Sequence, residues 1–171
     1  MASTLKVNNI QHSGGTAALN IDSTGRVTKP SLPFFCLTGN SENNKSMENG
    51  DRIGATDDGN TALISSGGSG IAGIRGFTYN SATGEVNVPI DGVYILGCNI
   101  FSNATETLLI AIYRGNTIIS YVQQDNIGTC NNSIVAVLTA NDKITFRNVS
   151  GATKTIYEGT AHTQIYGYLL G

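Results

Sequence analysis

The sequence predicts an all-β domain with its strands arranged as a two-layer sandwich. Glycine, threonine, asparagine and serine dominate its polar residues, and these residue types favour turns and strands over helices. The helix formers leucine, glutamate, lysine and alanine never recur at helical spacing over a long window. In the second half of the chain, short apolar segments separated by turn signals follow one another about a dozen residues apart. Together these observations indicate sheets rather than helices.

The segment at residues 83–101 organises the rest of the chain. Thr83-Gly84 predicts a tight turn, Pro89 limits strand pairing beside it, and Asp91-Gly92 supplies a residue that tolerates a positive φ. A strand is predicted at residues 93–101, and side chains alternate between its two faces. One face carries Tyr94, Leu96, Cys98 and Ile100, and the other carries Val93, Ile95 and Phe101, interrupted by Gly97 and Asn99. A sandwich covers only one of two apolar faces, so we expect another copy of the chain to cover the second.

Further strands are predicted on both sides of this segment. Their positions are residues 34–37, 107–113, 117–123, 133–138, 143–149 and 163–170, with a loop through Asp125, Asn126 and Gly128. In the strand at 143–149 we expect Ile144 and Phe146 to face inward, and Lys143, Thr145 and Arg147 to face outward. The closing strand at 163–170 is apolar on both faces. Doubly apolar strands beside half-exposed ones are typical of a sandwich that forms oligomers.

Residues 1–30 differ from the rest and are predicted to form a separate N-terminal arm. Their sparse apolar positions fit two short strands around a Gly-rich turn, and an isolated hairpin is at best marginally stable in water. The arm therefore needs a partner, either its own symmetry mates or a larger assembly to which it docks. The residues expected to make this attachment are Leu5, Val7, Ile10, Leu19, Ile21 and Val27.

The remaining residues, 31–171, form the predicted head domain after a proline-rich boundary at residues 30–33. Residues 38–70 are a polar excursion in which Met47, Ile53 and Leu63-Ile64 are the apolar anchors, with one or two short strands. Excursions of this length in a compact domain are usually functional or flexible.

Composition excludes several classes of function. Charged residues make up 13% of the chain and the net charge is -2, with no cluster of basic residues, which argues against nucleic-acid binding. No apolar run approaches the ~20 residues of a membrane helix. The first residues lack the pattern of a secretory signal, so we expect synthesis and folding in a cytoplasm. Cys36, Cys98 and Cys130 have no metal or disulfide spacing and are expected to be reduced, partly buried thiols.

No catalytic constellation stands out. His12 and His162 have no recognisable nucleophile or carboxylate partner, and surface or interface positions are favoured for both. Asp57-Asp58-Gly59-Asn60 has oxygen ligands for calcium but lacks the ligand spacing of a known loop, so an exposed turn is favoured. The glycine-rich residues 65–70 fit a linker better than a phosphate site. Among the tyrosines, Tyr157 is the first candidate for contact with a ligand, because its neighbours are polar.

Residues 31–171 resemble the globular head of complement component one, subunit q, and its relatives in the tumour-necrosis-factor superfamily. The resemblance rests on Thr83-Gly84, Pro89 and Gly92-Val93-Tyr94 in the family's order, on Phe34-Phe35, on Leu138 before Asn141-Asp142, and on the closing residues 163–170. It implies a ten-stranded jelly roll that assembles as a homotrimer about a three-fold axis, and calcium near that axis in some relatives. The residues it implies for the trimer interface are Val93, Tyr94, Ile95, Tyr166, Tyr168 and Leu170.

Residues 3–27 resemble the start of fibre and decoration proteins of tailed bacterial viruses, particularly marine ones. The two resemblances together imply a non-enzymatic structural protein on the virion surface, a homotrimeric fibre or capsid-decoration protein. The arm would attach it to other virion proteins and the head would face outward. The alternative is a receptor-binding tip that recognises host-surface glycan, and a secreted cytokine-like ligand is less favoured.

Overall fold

The computed structural model describes residues 7–11, 13–15, 17–29, 31–40, 44–60, 62–63, 72–102, 105, 107–159 and 161–170. Leu5, His12, Ile64 and the glycine-rich residues 65–70 lie outside the described residues. The chain divides into two compact units, residues 1–32 and 33–171, which we call the arm and the head. The boundary predicted from the sequence lies after Pro30.

The arm is a three-stranded antiparallel sheet of β1 (Asn9–Gln11), β2 (Ala17–Ile21) and β3 (Val27–Thr28), in that order. The sequence predicted only two strands, because Val27-Thr28 is too short to show a pattern. The third strand is positioned by the turn before it. There the Asp22 carboxylate accepts hydrogen bonds from the backbone N–H groups of Thr24 (2.9 Å) and Arg26 (3.0 Å). Gly25, at φ 83°, completes the reversal.

The head contains strands of three sheets. In chain order they are β4 (Phe34–Thr38), β5 (Asn44–Met47), β6 (Gly73–Arg75), β7 (Thr78–Asn80), β8 (Glu85–Asn87), β9 (Gly92–Ser102), β10 (Leu108–Arg114), β11 (Thr117–Gln124), β12 (Gly128–Leu138), β13 (Lys143–Asn148), β14 (Lys154–Tyr157) and β15 (Thr163–Leu169). The front sheet has the order β12-β9-β15-β4-β6 and the back sheet has the order β11-β10-β13-β8-β7. A third, two-stranded sheet pairs β14 with β5.

Within the described residues, the front and back sheets contain ten strands, and every strand pair in them is antiparallel. The all-β prediction and the ten-stranded jelly roll are therefore confirmed. A single short 3₁₀ helix, Thr56–Asp58, is present in this part of the chain, and no described helix is long and apolar enough to cross a membrane.

The hydrophobic core lies between the front and back sheets, and β9 contributes one complete face to it. Tyr94, Leu96, Cys98 and Ile100 share one face of the strand, as predicted, and the structure shows that this face points inward and is fully buried. Other core residues include Phe35, Leu37, Leu108, Ile110, Ile112, Ile144, Phe146 and Ile165. Gly167 of β15 also faces this core, where a Cβ atom would come within 2.5 Å of the Phe35 ring and 2.8 Å of a Leu96 methyl carbon. Glycine is therefore required there by packing, not by a turn.

Two local predictions need correction. Gly92 does not adopt a positive φ; it begins β9, and its missing Cβ leaves room for the Leu169 side chain. The strand predicted at 133–138 begins five residues earlier, at Gly128, so the predicted loop is shorter. Its polar first half is paired with β9 through the register Asn131↔Asn99. The inward amide of Asn132 donates to Ser120 Oγ (2.7 Å) and to the Tyr121 carbonyl (3.3 Å) of β11, which satisfies it inside the sandwich.

The polar excursion is held to the head by its apolar anchors. Met47, Ile53 and Leu63 are buried, as predicted, and β5 forms its one described strand. The Ile53 N–H donates to the Phe146 carbonyl at 2.8 Å, which fixes the excursion against β13. The described residues of the excursion are thus a packed part of the head.

Candidate functional site: the outward face of the front sheet

The front sheet has a second face that points away from the core. Because side chains alternate along each strand, this face takes every other residue of the five strands. We call it the front face, and its members include Phe34, Cys36, Val93, Ile95, Gly97, Asn99, Phe101, Ser133, Val135, Val137, Gln164, Tyr166, Tyr168 and, after β15, Leu170.

The strand register arranges this face from an apolar end to a polar end. Five rows run across the strands: Val137 beside Val93; Val135, Ile95, Tyr168, Phe34 and Arg75; Ser133, Gly97, Tyr166, Cys36 and Gly73; Asn131, Asn99, Gln164 and Thr38; and Thr129 beside Phe101. Apart from Arg75, the first two rows present hydrophobic and tyrosine side chains, and the fourth presents three amides and a threonine. The face is therefore apolar at the Val93 end of the strands and carries amides toward the Phe101 end.

Large hydrophobic side chains are left open to solvent at the apolar end. Val135 is 65% exposed, Val137 72%, Tyr168 43% and Leu170 44%. These are four of the nine large hydrophobic residues that are exposed in the described part of the chain, and they lie together. Scattered exposed hydrophobic residues are ordinary, but a contiguous apolar patch marks an interaction surface.

The front face carries almost no charge. The described strands contribute one charged side chain, Arg75, whose guanidinium carbon lies 5.1 Å from the centre of the Phe34 ring. A neutral apolar face favours a protein surface of the same kind over a nucleic acid or an acidic ligand.

The Tyr166 side chain covers the middle of the front face. Its ring lies over Gly97, where a Cβ atom would overlap the end of the ring and come within 2.6 Å of the Asn132 carbonyl. Burial raises the pKa of the Tyr166 hydroxyl, and a hydrogen bond between the Tyr166 and Ser133 side chains opposes that rise. The tyrosine is therefore fixed against the sheet.

Five of the six predicted trimer-interface residues lie on the front face, and the sixth does not. Val93, Ile95, Tyr166, Tyr168 and Leu170 are the five. The assignment of Tyr94 was wrong, because it is one residue out of phase with Val93 and Ile95. Its side chain is fully buried in the core and its hydroxyl donates to the Ile90 carbonyl at 2.8 Å.

Sequence reasoning missed the two most exposed residues of this face, Val135 and Val137. The signal that could have found them is the alternation in the predicted strand at 133–138, where Val135 and Val137 share a face opposite Ile134, Ala136 and Leu138. Once β12 is paired with β9, that face is an extension of Val93 and Ile95.

Tyr157, the predicted ligand contact, lies in an aromatic cluster next to the polar end of the front face. Its ring centre is 4.7 Å from that of His162 and 6.5 Å from that of Phe101, and all three rings meet edge to face. The Thr163 hydroxyl donates to the Tyr157 carbonyl at 2.6 Å. Tyr157 is thus half-buried among its neighbours, and its role in ligand contact stays a prediction.

The turn considered for calcium is built around an ion pair. The Asp58 carboxylate accepts two hydrogen bonds from the Arg52 guanidinium at 2.8 Å each and one from the Arg52 backbone N–H. Arg52 holds the pKa of Asp58 below its ordinary value. Because Asp58 is already neutralised, it is a poor calcium ligand. The described residues contain no group of three acidic, histidine or cysteine side chains placed to hold a metal ion.

The three cysteines are free, but their environments differ. Cys98 and Cys130 lie in the core, where burial raises the pKa of their thiols to about 12 and about 11. Cys36 is half-buried on the front face between Tyr166 and Gly73. Burial also raises its pKa, so none of the three is an activated nucleophile.

The two five-stranded sheets, in this strand order, define a jelly roll of the tumour-necrosis-factor and complement-q type. Solved structures with this fold match the chain. Eiger, a tumour necrosis factor from S. frugiperda, has a TM-score of 0.69 at 15% identity, over 82% of this chain and 94% of that chain. The globular domain of zebrafish complement 1qA protein has a TM-score of 0.58 at 14% identity, over 81% and 98%. Murine APRIL at pH 8.0 has a TM-score of 0.54 at 15% identity, over 81% and 99%.

These matches confirm the fold that the resemblance implied for the head. Identities this low show the fold alone. A scan against protein-family models and a search of curated proteins both find no match. The resemblance of residues 3–27 to phage proteins stays a prediction.

Proposed function

We propose that the protein is a non-enzymatic structural protein of a tailed-bacteriophage virion, a homotrimeric fibre or capsid-decoration protein. In this proposal the arm attaches the chain to other virion proteins and the head faces outward. The observation that carries it is the front face: a neutral, apolar sheet surface that a single chain leaves exposed.

Copies of the same chain are the partner that fits this face best. Fully burying a hydrophobic side chain contributes about 1.5–3 kcal/mol, so covering Val135, Val137, Tyr168 and Leu170 from their present exposure contributes roughly 3–7 kcal/mol per chain. Val93, Ile95 and Phe34 add to this. Three chains around an axis each contribute such a face, roughly 10–20 kcal/mol in all, which is of the same order as the association cost of about 4–15 kcal/mol for each of two binding steps. The number three comes from the resemblance to the complement-q and tumour-necrosis-factor heads.

The virion role is supported by the arm and by the front face of the head. Residues 3–27 resemble the start of phage fibre and decoration proteins. The head presents a neutral, apolar front face that suits contact with other protein chains. Such a head is suited to display on a particle.

Two measurements test the proposal. Light scattering of the purified chain should give three times the single-chain mass of 17.9 kDa. Phage particles that lack this protein should bind the full chain, and should fail to bind a chain without residues 1–32. A single-chain mass in dilute solution contradicts the trimer, and equal binding by the shortened chain contradicts the role of the arm.

A receptor-binding tip that recognises host glycan is the second candidate, and the aromatic cluster favours it. Tyr157, Phe101 and His162 lie beside the amides of Asn99 and Gln164, and aromatic rings with amides are common contacts for sugars. A glycan array should give a signal with the native chain that Tyr157→Ala removes. A glycan array without any signal contradicts the receptor-binding function and does not affect the proposed structural role. A cytokine-like ligand shares the fold; binding to a host-cell receptor in place of virion particles would favour it.

A further inference from the structure

The arm sheet also has one apolar face and one polar face. Ile10 pairs with Leu19 across β1 and β2, and Ile21 pairs with Val27 across β2 and β3, so these four side chains share a face that we call the arm face. The opposite face carries Asn9, Asn20 and Thr28. The arm face includes four of the six residues predicted for attachment; Val7 precedes β1 and Leu5 lies outside the described residues.

No described residue of the arm covers this face. None of the described residues 7–29 and 31–32 is buried, and Ile10 and Val27 are 50% and 59% exposed. The described arm is a single layer of three short strands, and an apolar sheet face needs a second layer to be buried. The arm is therefore an incomplete core that needs a second protein surface.

The charges of the arm favour another copy of itself. Asp22 and Arg26 pair with each other in the turn at 2.6 Å, and Lys29 is the other charged residue in the described arm. The four side chains of the arm face are themselves uncharged; Asp22 and Arg26 lie in the turn before β3, and Lys29 follows β3 at the edge of the sheet. Copies of this face can therefore approach one another without repulsion between like charges, and the face offers no charge that would select an acidic or basic partner.

The size of the arm face decides when it can assemble. Ile10 and Val27 are half-exposed and Leu19 and Ile21 are partly exposed, so burying the arm face removes only a small apolar area from water. That gain is smaller than the entropic cost of bringing free partners together. Arms attached to an assembled head are at an effective concentration on the order of millimolar, and the second contact then needs little further free energy.

We propose that the arm faces of the copies pack against one another once the heads have assembled, so that the arm is a second self-association surface. This inference rests on the proposed head trimer. It places Ile10, Leu19, Ile21 and Val27 inside an arm bundle. The polar face with Asn9, Asn20 and Thr28 is then the surface left to contact the virion.

Two neighbouring residues give a matched experiment, because Val27 lies on the arm face and Thr28 on the opposite face. Val27→Cys and Thr28→Cys are made in the full chain with Cys36→Ser, which removes the one half-buried native thiol, and each is labelled with pyrene. We expect strong excimer emission from Val27→Cys, severalfold above that of Thr28→Cys. Mixing labelled chains with excess unlabelled chains before assembly should abolish the excimer.

The outcomes separate this inference from the proposed function. Sedimentation of the same samples reports the head assembly. A trimer with no excimer from Val27→Cys, or with equal excimer from both positions, overturns the arm bundle and leaves the head trimer intact; an arm packed on its own head or left free would give this result. A single-chain mass overturns the proposed trimer itself.

A second pair of variants avoids any effect of the label. Val27→Asp places a carboxylate in the bundle, and Thr28→Asp places it in solvent. Limited proteolysis should cut the arm of the Val27→Asp trimer severalfold faster than that of the native or Thr28→Asp trimer. Equal cutting rates in all three contradict the inference.

Discussion

Replacing Val135 with aspartate probes the proposed assembly directly. Val135 is 65% exposed in a single chain, so a carboxylate at this position remains in water and the chain should fold with nearly unchanged stability. In an assembly that covers the front face, the same carboxylate would be buried beside Ile95, its cross-strand neighbour, in the row that continues to Tyr168. The variant therefore separates assembly from folding.

The size of the effect follows from the exposure of Val135. The lost apolar burial is about 1–2 kcal/mol per chain. Leaving a buried carboxylate without a partner costs about 3–5 kcal/mol. The sum is at least about 4 kcal/mol, or roughly a thousandfold in affinity for each chain, and three chains carry the change.

Sedimentation velocity at equal concentrations measures this effect, and circular dichroism checks the fold. The native chain should sediment as a trimer and Val135→Asp as a single chain. Tyr121→Asp is the matched control, because Tyr121 is 57% exposed on β11 of the back sheet. If Val135→Asp remains a trimer, or if both variants dissociate alike, the front face is not the contact surface and the reasoning fails.

Three further predictions concern packing, thiol access and pH. Gly167→Ala should lower the free energy of unfolding by about 1–3 kcal/mol in urea titrations, because its Cβ would overlap Phe35; an unchanged midpoint would show that the core can relax there. Cys36 should react with maleimide faster in Val135→Asp than in the native chain, since only assembly covers the front face, and equal rates would argue against this. Asp58→Asn should destabilise the chain at pH 7, because Arg52 lowers the pKa of Asp58 and the folded state gains stability from the ionised form. That difference should shrink as the pH falls below 3.8, the ordinary value for the carboxyl, and a difference that stays constant with pH would assign the effect to something other than the ion pair.

The sequence was sufficient to predict the faces of β9, because alternation along a strand is a local property. It could not show which of two apolar faces is the core. Tyr94 and Val93 are neighbours that can each be buried, and only the partner sheet decides that Tyr94 points inward. The trimer-interface prediction therefore mixed one core residue with five front-face residues.

Long-range pairing explains one of the elements that were missed. The polar first half of β12 looks like a loop in the sequence, yet β9 pairs with it and β11 satisfies the Asn132 side chain. The pairing of β12 therefore requires the folded chain. The strand Val27–Thr28 is a different case: it follows a local turn made by the Asp22 side chain, and it was missed because two residues are too few to show a pattern.

The hydrogen bonds between Asn132 and β11 affect how the edges of the two sheets can pair with other molecules. β11 and β12 are outermost strands of the two sheets, and a bare outermost strand can recruit strands from neighbouring molecules without limit. The Asn132 amide donates hydrogen bonds to Ser120 and Tyr121 of β11, and the thiol of Cys130 donates to the Val122 carbonyl at 3.4 Å. The carbonyls of Tyr121 and Val122 are thereby already bonded within the chain, which leaves fewer free acceptors on this edge for a strand of a neighbouring molecule.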